Sequence, residues 1–237
     1  MSYSLSAEEY ILSLILVGGE SAAYGIKEEV FGNVSDDELE TRMDSALYGL
    51  LSKGLLYFEN NEEMIEPAFQ SFLLSLTNVP RVIRCQTAQG NELVTTSLFF
   101  AEDLTVQQSR YQNRVYQLYR ENDENQISAQ LGISTLLQPG EPVYIEDTQF
   151  ERMIDQLMQQ QELDELTASL LPDDVMHVLK DNGGKLNMFY DYRFTPEGTS
   201  LHSFLYATSH NRTYKMEEKN GKIKIEPFSS QTFFQTV

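Results

Sequence analysis

The stretch SDDELETRMDSALYGLLSKGLLYF, residues 35–58, sets the pattern for the whole chain. Ser35-Asp-Asp-Glu38 fits a capping box, and its acids complement the positive end of a helix. Leu39, Met43, Ala46, Leu47 and Leu50 then recur at helical spacing. Lys53-Gly54 stops the helix, because glycine tolerates left-handed backbone. Leu55 to Phe58 reads as a short strand and Glu59-Asn-Asn-Glu62 as its turn.

The same grammar extends to either side. Ser6-Ala-Glu-Glu9 is a second capping box, followed by Tyr10, Ile11, Leu14, Ile15 and Val17 and closed by Gly18-Gly19. A third helix starts near Pro67, carries Ala68, Phe69, Phe72, Leu73 and Leu76, and ends at Pro80. Residues 1–80 are therefore an N-terminal helical region with winged-helix-like character. Residues 81–146 read as a first antiparallel sheet region. Val82 to Thr87 and Glu92 to Phe100 form a hairpin about Ala88-Gln-Gly-Asn91. Gln112 to Glu121 is read as a strand because Val and Tyr dominate, although Tyr111, Val115 and Tyr119 would also share a helical face. Residues 147–184 form a C-terminal helical region. There Asp147 or Thr148 caps a helix bearing Phe150, Met153, Ile154 and Leu157; Leu163, Leu166 and Leu170 continue the stripe, and Pro172 to Lys180 adds a short helix. Residues 185–237 return to a meander, with turns at Pro196-Glu-Gly198, His210-Asn211 and Lys219-Asn-Gly221. The fold class is α+β: helices then antiparallel meander, twice over.

Charge and composition exclude several function classes. The chain of 237 residues carries 17 basic and 36 acidic residues, a net charge of -19. Nucleic-acid binding depends on neutralising phosphates with Lys and Arg, so this balance opposes it, as it opposes an anionic membrane surface. The helix from Ser35 has only Arg42 and Lys53 against Asp36, Asp37, Glu38, Glu40 and Asp44, a poor match to a major groove. The apolar run Ile11 to Val17 is too short to span a bilayer, and the first residues lack the basic start of a signal peptide. A cytoplasmic protein without direct membrane insertion is expected.

Chemistry-bearing motifs are sparse. One cysteine, Cys85, rules out an intrachain disulfide and reads as a buried, inert thiol in a strand. His177, His202 and His210 form no metal-ligand spacing. No nucleophile elbow, phosphate loop or dinucleotide fingerprint is present. Paired acids such as Asp173-Asp174 sit at helix starts, where capping explains them. No enzyme activity, catalytic residue, metal or cofactor is expected. The apolar stripes are more informative. Met188 to Phe194 puts apolar residues on both faces of one strand. The helix of Phe150, Met153, Ile154 and Leu157, with Leu163 and Leu166, either packs on its own sheet or forms a groove for a partner helix.

Leu5 to Glu9, the capped acidic helix ending Leu50-Leu-Ser-Lys-Gly-Leu-Leu56, and the helix ending Leu76-Thr-Asn-Val-Pro80 before Val82-Ile-Arg-Cys85 resemble the EspG family. These are cytosolic chaperones of type VII (ESX) secretion. The resemblance runs over about residues 5–100 in order, and over most of the chain in layout. It implies a two-lobed α+β architecture with pseudo-duplicated halves, and no catalysis. It also implies a contact surface in the C-terminal helical region, Phe150 to Leu170, with loops near Gly90 or Gly198 as further candidates. The implied role is a chaperone or adaptor that holds a helical secreted effector or toxin before export. The alternative is an immunity protein that neutralises a toxin. Partners are thus proteins and not nucleic acid, and a homodimer is allowed.

Overall fold

The computed structural model describes residues 2–77, 79–89, 92–101 and 104–234. In chain order the first elements are β1 (Ser2–Ser6), α1 (Ala7–Leu16), α2 (Glu20–Phe31), α3 (Asp36–Ser52), β2 (Leu56–Glu59), β3 (Glu62–Ile65) and α4 (Pro67–Thr77). Four strands follow: β4 (Arg81–Gln89), β5 (Glu92–Phe100), β6 (Leu104–Arg110) and β7 (Val115–Arg120). Next come α5 (Glu124–Leu131), β8 (Val143–Glu146), α6 (Asp147–Met158), α7 (Glu165–Ala168) and α8 (Asp173–Asp181). The chain closes with β9 (Asn187–Thr195), β10 (Gly198–Ser209), β11 (Arg212–Lys219), β12 (Lys222–Phe228) and α9 (Gln231–Phe234). This is a mixed α+β fold with antiparallel pairing.

Two compact units arise, each drawn from separated stretches of the chain. One comprises Met1–Val82, Glu92–Arg120 and Arg193–Thr199; the other comprises Ile83–Asn91, Glu121–Tyr192 and Ser200–Val237. The region 81–146 is shared out because its strands find partners far away in sequence, which local patterning does not reveal.

In the first unit the strand order is β1-β7-β6-β5. Tyr3 pairs with Leu118 and Leu5 with Tyr116, so one face of β1 and β7 is apolar. That face, with Tyr10, Ile11 and Leu14 of α1, Leu50 of α3 and Phe69, Phe72 and Leu73 of α4, makes the core. Tyr3 lies 4.6 Å from the Phe69 ring, and Tyr10 lies 5.0 Å from Tyr116. Tyr10 keeps its polar end satisfied by donating to Gln107 Oε1 at 2.8 Å.

Local signals set the helix boundaries. At α1 the capping box is complete: Ser6 Oγ accepts from the Glu9 amide at 3.2 Å, and Glu9 accepts from the Ser6 amide at 2.7 Å. At α3 only half of it forms. Ser35 Oγ accepts from the Glu38 amide, but the Glu38 carboxylate turns to Arg42 at 2.7 Å. Glu66 caps α4 by accepting from the Ala68 and Phe69 amides. The predicted caps of α6 are not used, since Asp147 is its first residue and Thr148 lies inside. Strand β8 runs straight into the helix, and the Asp147 amide donates to the Gly221 carbonyl instead.

In the second unit the order is β4-β9-β10-β11-β12-β8. Antiparallel registers align Leu205 with Met216 and Ile225, and Ala207 with Tyr214. Ile223 faces Ile145, and Ile225 faces Val143. Alternate residues thus build one apolar face, on which α6 and α8 lie. The tight turns carry positive φ at His210-Asn211 and Asn220-Gly221, as two-residue hairpins require. Strand β9 is not buried on both faces. Phe189 is covered, stacking on Phe204 at 4.4 Å, while Met188 and Phe194 are exposed.

Candidate partner-binding surfaces

The helical region of the second unit carries the residues expected to bind a partner, and the structure divides them. Phe150, Met153, Ile154 and Leu157 all lie in the core of that unit, with Met153 fully covered. Their stripe is spent on the sheet, so in this conformation it offers no groove. Leu163 lies beyond the end of α6, half-buried against the same core. Leu166 sits on the separate four-residue α7 and is 80% exposed. The stripe therefore does not continue as one helix: Gln160, with φ of 57°, turns the chain after α6. Of the two loops, Gly90 lies outside the described residues. Gly198 opens β10, beside exposed Leu201.

Exposed apolar groups missed at the sequence level lie in the first unit. Hairpin β2–β3 buries Leu56 and Ile65, which pair across its base. Its next pair, Tyr57 and Met64, points to the opposite face and is exposed, as is Phe58. Burial does not alternate along these strands, since Phe58 shares a face with Leu56 and is exposed, so no periodicity in the sequence marks this pair. Elsewhere in this unit a groove of about 650 Å³ is lined by Leu76, Val79, Pro80, Val82, Phe99 and Phe194. The Phe194 amide fixes one wall by donating to the Pro80 carbonyl at 2.8 Å.

The polar groups of the second unit are mostly engaged with one another. Tyr214 donates to Asp174 Oδ2 at 2.5 Å, and Arg212 stands 3.4 Å from the same oxygen. The Tyr214 bond, opposed by burial, holds the Asp174 carboxyl below its ordinary range. Burial and then the Asp174 contact push the Tyr214 phenol up to about 12. A carboxyl depressed in the folded state contributes stability that is present above its unfolded value, about 4, and is lost as pH falls through the folded value. Tyr214→Phe is expected to cost about 1 kcal/mol at neutral pH, Asp174 being partly exposed. In urea titrations the gap from wild type should close as pH drops below 4.

Ser209, His210 and Asp181 meet without forming a catalytic relay. Ser209 Oγ donates to Asp181 Oδ2 at 2.6 Å and also meets His210 Nδ1 at 2.8 Å, while that nitrogen is 3.1 Å from the same carboxylate oxygen. A serine–histidine–aspartate relay places its two partners on opposite ring nitrogens. With both on Nδ1, the ring cannot accept the serine proton while the carboxylate orients its other side. His177 lines the same cleft with Asp173, Asp174 and Asp181. No set of three or more His, Cys, Asp or Glu is arranged as a metal site among the described residues.

Cys85 is buried and unpaired by any disulfide. Burial pushes its thiol well above the ordinary range, only partly offset by hydrogen bonding with Tyr206. Because the thiolate is the reactive form, Cys85 should stay unlabelled by a thiol reagent in the native protein and react at the rate of unfolding. Prompt stoichiometric labelling would contradict this placement.

The chain belongs to the family described as "Uncharacterised protein YfjC", whose profile matches residues 2–236. No curated protein matches it. Among solved structures it is similar to the Mycobacterium tuberculosis type VII secretion system chaperone EspG5, from the complex with the PE25–PPE41 dimer. The TM-score is 0.58 at 6% identity, covering 98% of this chain and 92% of that one. At that identity the likeness is one of fold: the expected resemblance to EspG is met as structural similarity, and the family shown is YfjC. No described helix is long and apolar enough to cross a membrane.

Proposed function

We propose that this protein is a non-enzymatic chaperone or adaptor that binds a helical type VII secretion substrate in the cytoplasm and keeps it competent for export. One observation carries the reading: the fold of a type VII secretion chaperone extends over nearly the whole of both chains. A fold alone does not fix function. The reading draws further support from exposed Tyr57, Phe58 and Met64, which suit protein contact. In this reading the two units are counterpart halves of an EspG-like architecture, and the cargo is a helical effector or toxin.

Co-expression with the helical type VII substrates encoded in the same genome tests it. A stable complex on size exclusion, with a substrate that is insoluble when expressed alone, is the expected result. Failure of every such substrate to bind would overturn it. The acidic surplus favours a second reading, an immunity protein that neutralises a basic toxin. That role requires inhibition of toxin activity by the purified protein, with export unaffected by its loss.

A further inference from the structure

We infer that the β2–β3 hairpin is a docking surface for a basic, amphipathic helix of the cargo. This rests on the proposed chaperone role and adds the chemistry of the segment recognised. The hairpin presents a two-residue apolar platform, Tyr57 beside Met64, at its exposed face. Tyrosine and methionine are both favoured at protein interfaces, the first as a rigid anchor and the second as an adaptable one.

Charge selects the occupant. On the same face, two pairs nearer the turn, Glu59 stands directly opposite Glu62; in the pair between, on the other face, Glu63 faces Phe58. Like charges directly across a two-stranded ladder are destabilising, so this arrangement opposes the hairpin's own stability. Among the described residues none of the three carboxylates has a hydrogen-bond or ion-pair partner. Residues 1–80 hold 14 acidic and 3 basic side chains, a net of -11. All three bases are already engaged: Lys27 with Glu28, Arg42 with Glu8 and Glu38, and Lys53 with Glu9. A segment with an apolar stripe flanked by Lys or Arg would cover the Tyr57–Met64 platform and relieve the repulsion. The same charges repel a nucleic acid, although a hairpin after three helices is where a winged helix holds its wing.

The test uses the full chain and two synthetic helical peptides of about 18 residues, long enough to hold a helix. One carries a Leu stripe flanked by Lys; the other has the same stripe with Glu for Lys. Fluorescence anisotropy should show binding of the Lys peptide, weakening with salt, and none of the Glu peptide. Combined Glu59→Gln, Glu62→Gln and Glu63→Gln should weaken the Lys peptide about tenfold while raising the thermal midpoint. Glu141→Gln, Glu151→Gln and Glu162→Gln change the net charge equally in the other unit and should leave binding within about twofold. Equal loss in both variants, or binding of both peptides alike, overturns the inference. If the hairpin variant still forms the cargo complex at wild-type affinity, the docking inference fails and the chaperone role stands. If the Lys peptide binds the hairpin but no type VII substrate binds the protein, the chaperone role fails instead.

Discussion

Met153→Ala is expected to destabilise the protein by about 2–5 kcal/mol, whereas Leu166→Ala should change stability by less than about 0.5 kcal/mol. Both residues belong to what reads in the sequence as one apolar stripe. Met153 is fully covered in the core that α6 and the sheet of the second unit build together, so removing its side chain leaves a cavity within that core. Leu166 is exposed on α7 and has little packing to lose. Urea unfolding of the two variants checks the contrast. Comparable effects would mean that α6 does not pack as described, and that its stripe remains available to a partner.

Gly49→Ala is the second large effect, and its sign runs against helix propensity. Within α3, near its C-terminal end, alanine would ordinarily gain up to about 1 kcal/mol over glycine. Here a Cβ would strike Glu9 Oε1 and come within 3.2 Å of its Cδ. The Glu9 side chain cannot simply swing away. Its carboxylate accepts from the Ser6 amide at 2.7 Å and pairs with Lys53 at 2.5 Å, and the residue is buried between α1 and α3. The net expectation is a loss of about 1–3 kcal/mol. In a Glu9→Ala background the close approach is gone, because the three atoms nearest that Cβ all belong to the Glu9 side chain. There the same Gly49→Ala change should be neutral or stabilising by up to about 1 kcal/mol. A denaturation double-mutant cycle with no coupling would contradict the packing of α1 on α3.

These two cases show how far the chain could be read without coordinates. Elements with strong punctuation were legible: α3 between Ser35 and Gly54, α4 between Pro67 and Pro80, and the β10–β12 meander with its Asn-Gly turn. Those that escaped lack such marks. Strand β1 is five residues long, with only Tyr3 and Leu5 pointing inward, and its partner β7 lies more than a hundred residues away. Helix α2 starts at Gly19 without a side-chain cap and fully buries only Ala23, so its apolar periodicity is faint. Strand β6 buries Thr105, Gln108 and Ser109 beside Val106, and buried polar residues erase the alternation that marks a strand.

The candidate site was less legible than the fold, for a related reason. An apolar stripe on a helix looks the same whether it faces a sheet or a partner. Only the register of β10, β11, β12 and β8, which assembles a matching face from Ala207, Met216, Ile223 and Ile145, assigns the Phe150–Leu157 stripe to the interior. The exposed Tyr57–Met64 pair carries the opposite lesson. In a four-residue strand the side facing solvent shows the same residue types as the side facing the core, and burial alone separates them.

The most direct test of the chaperone role is the secretome of a strain lacking this protein. Mass spectrometry of the culture supernatant and of the cytosolic insoluble fraction reads the outcome. A chaperone for type VII cargo predicts that at least one helical substrate disappears from the supernatant and accumulates as aggregate or degraded chain, with export restored by the wild-type gene. An unchanged set of secreted type VII substrates, soluble in the cytosol without this protein, would contradict it.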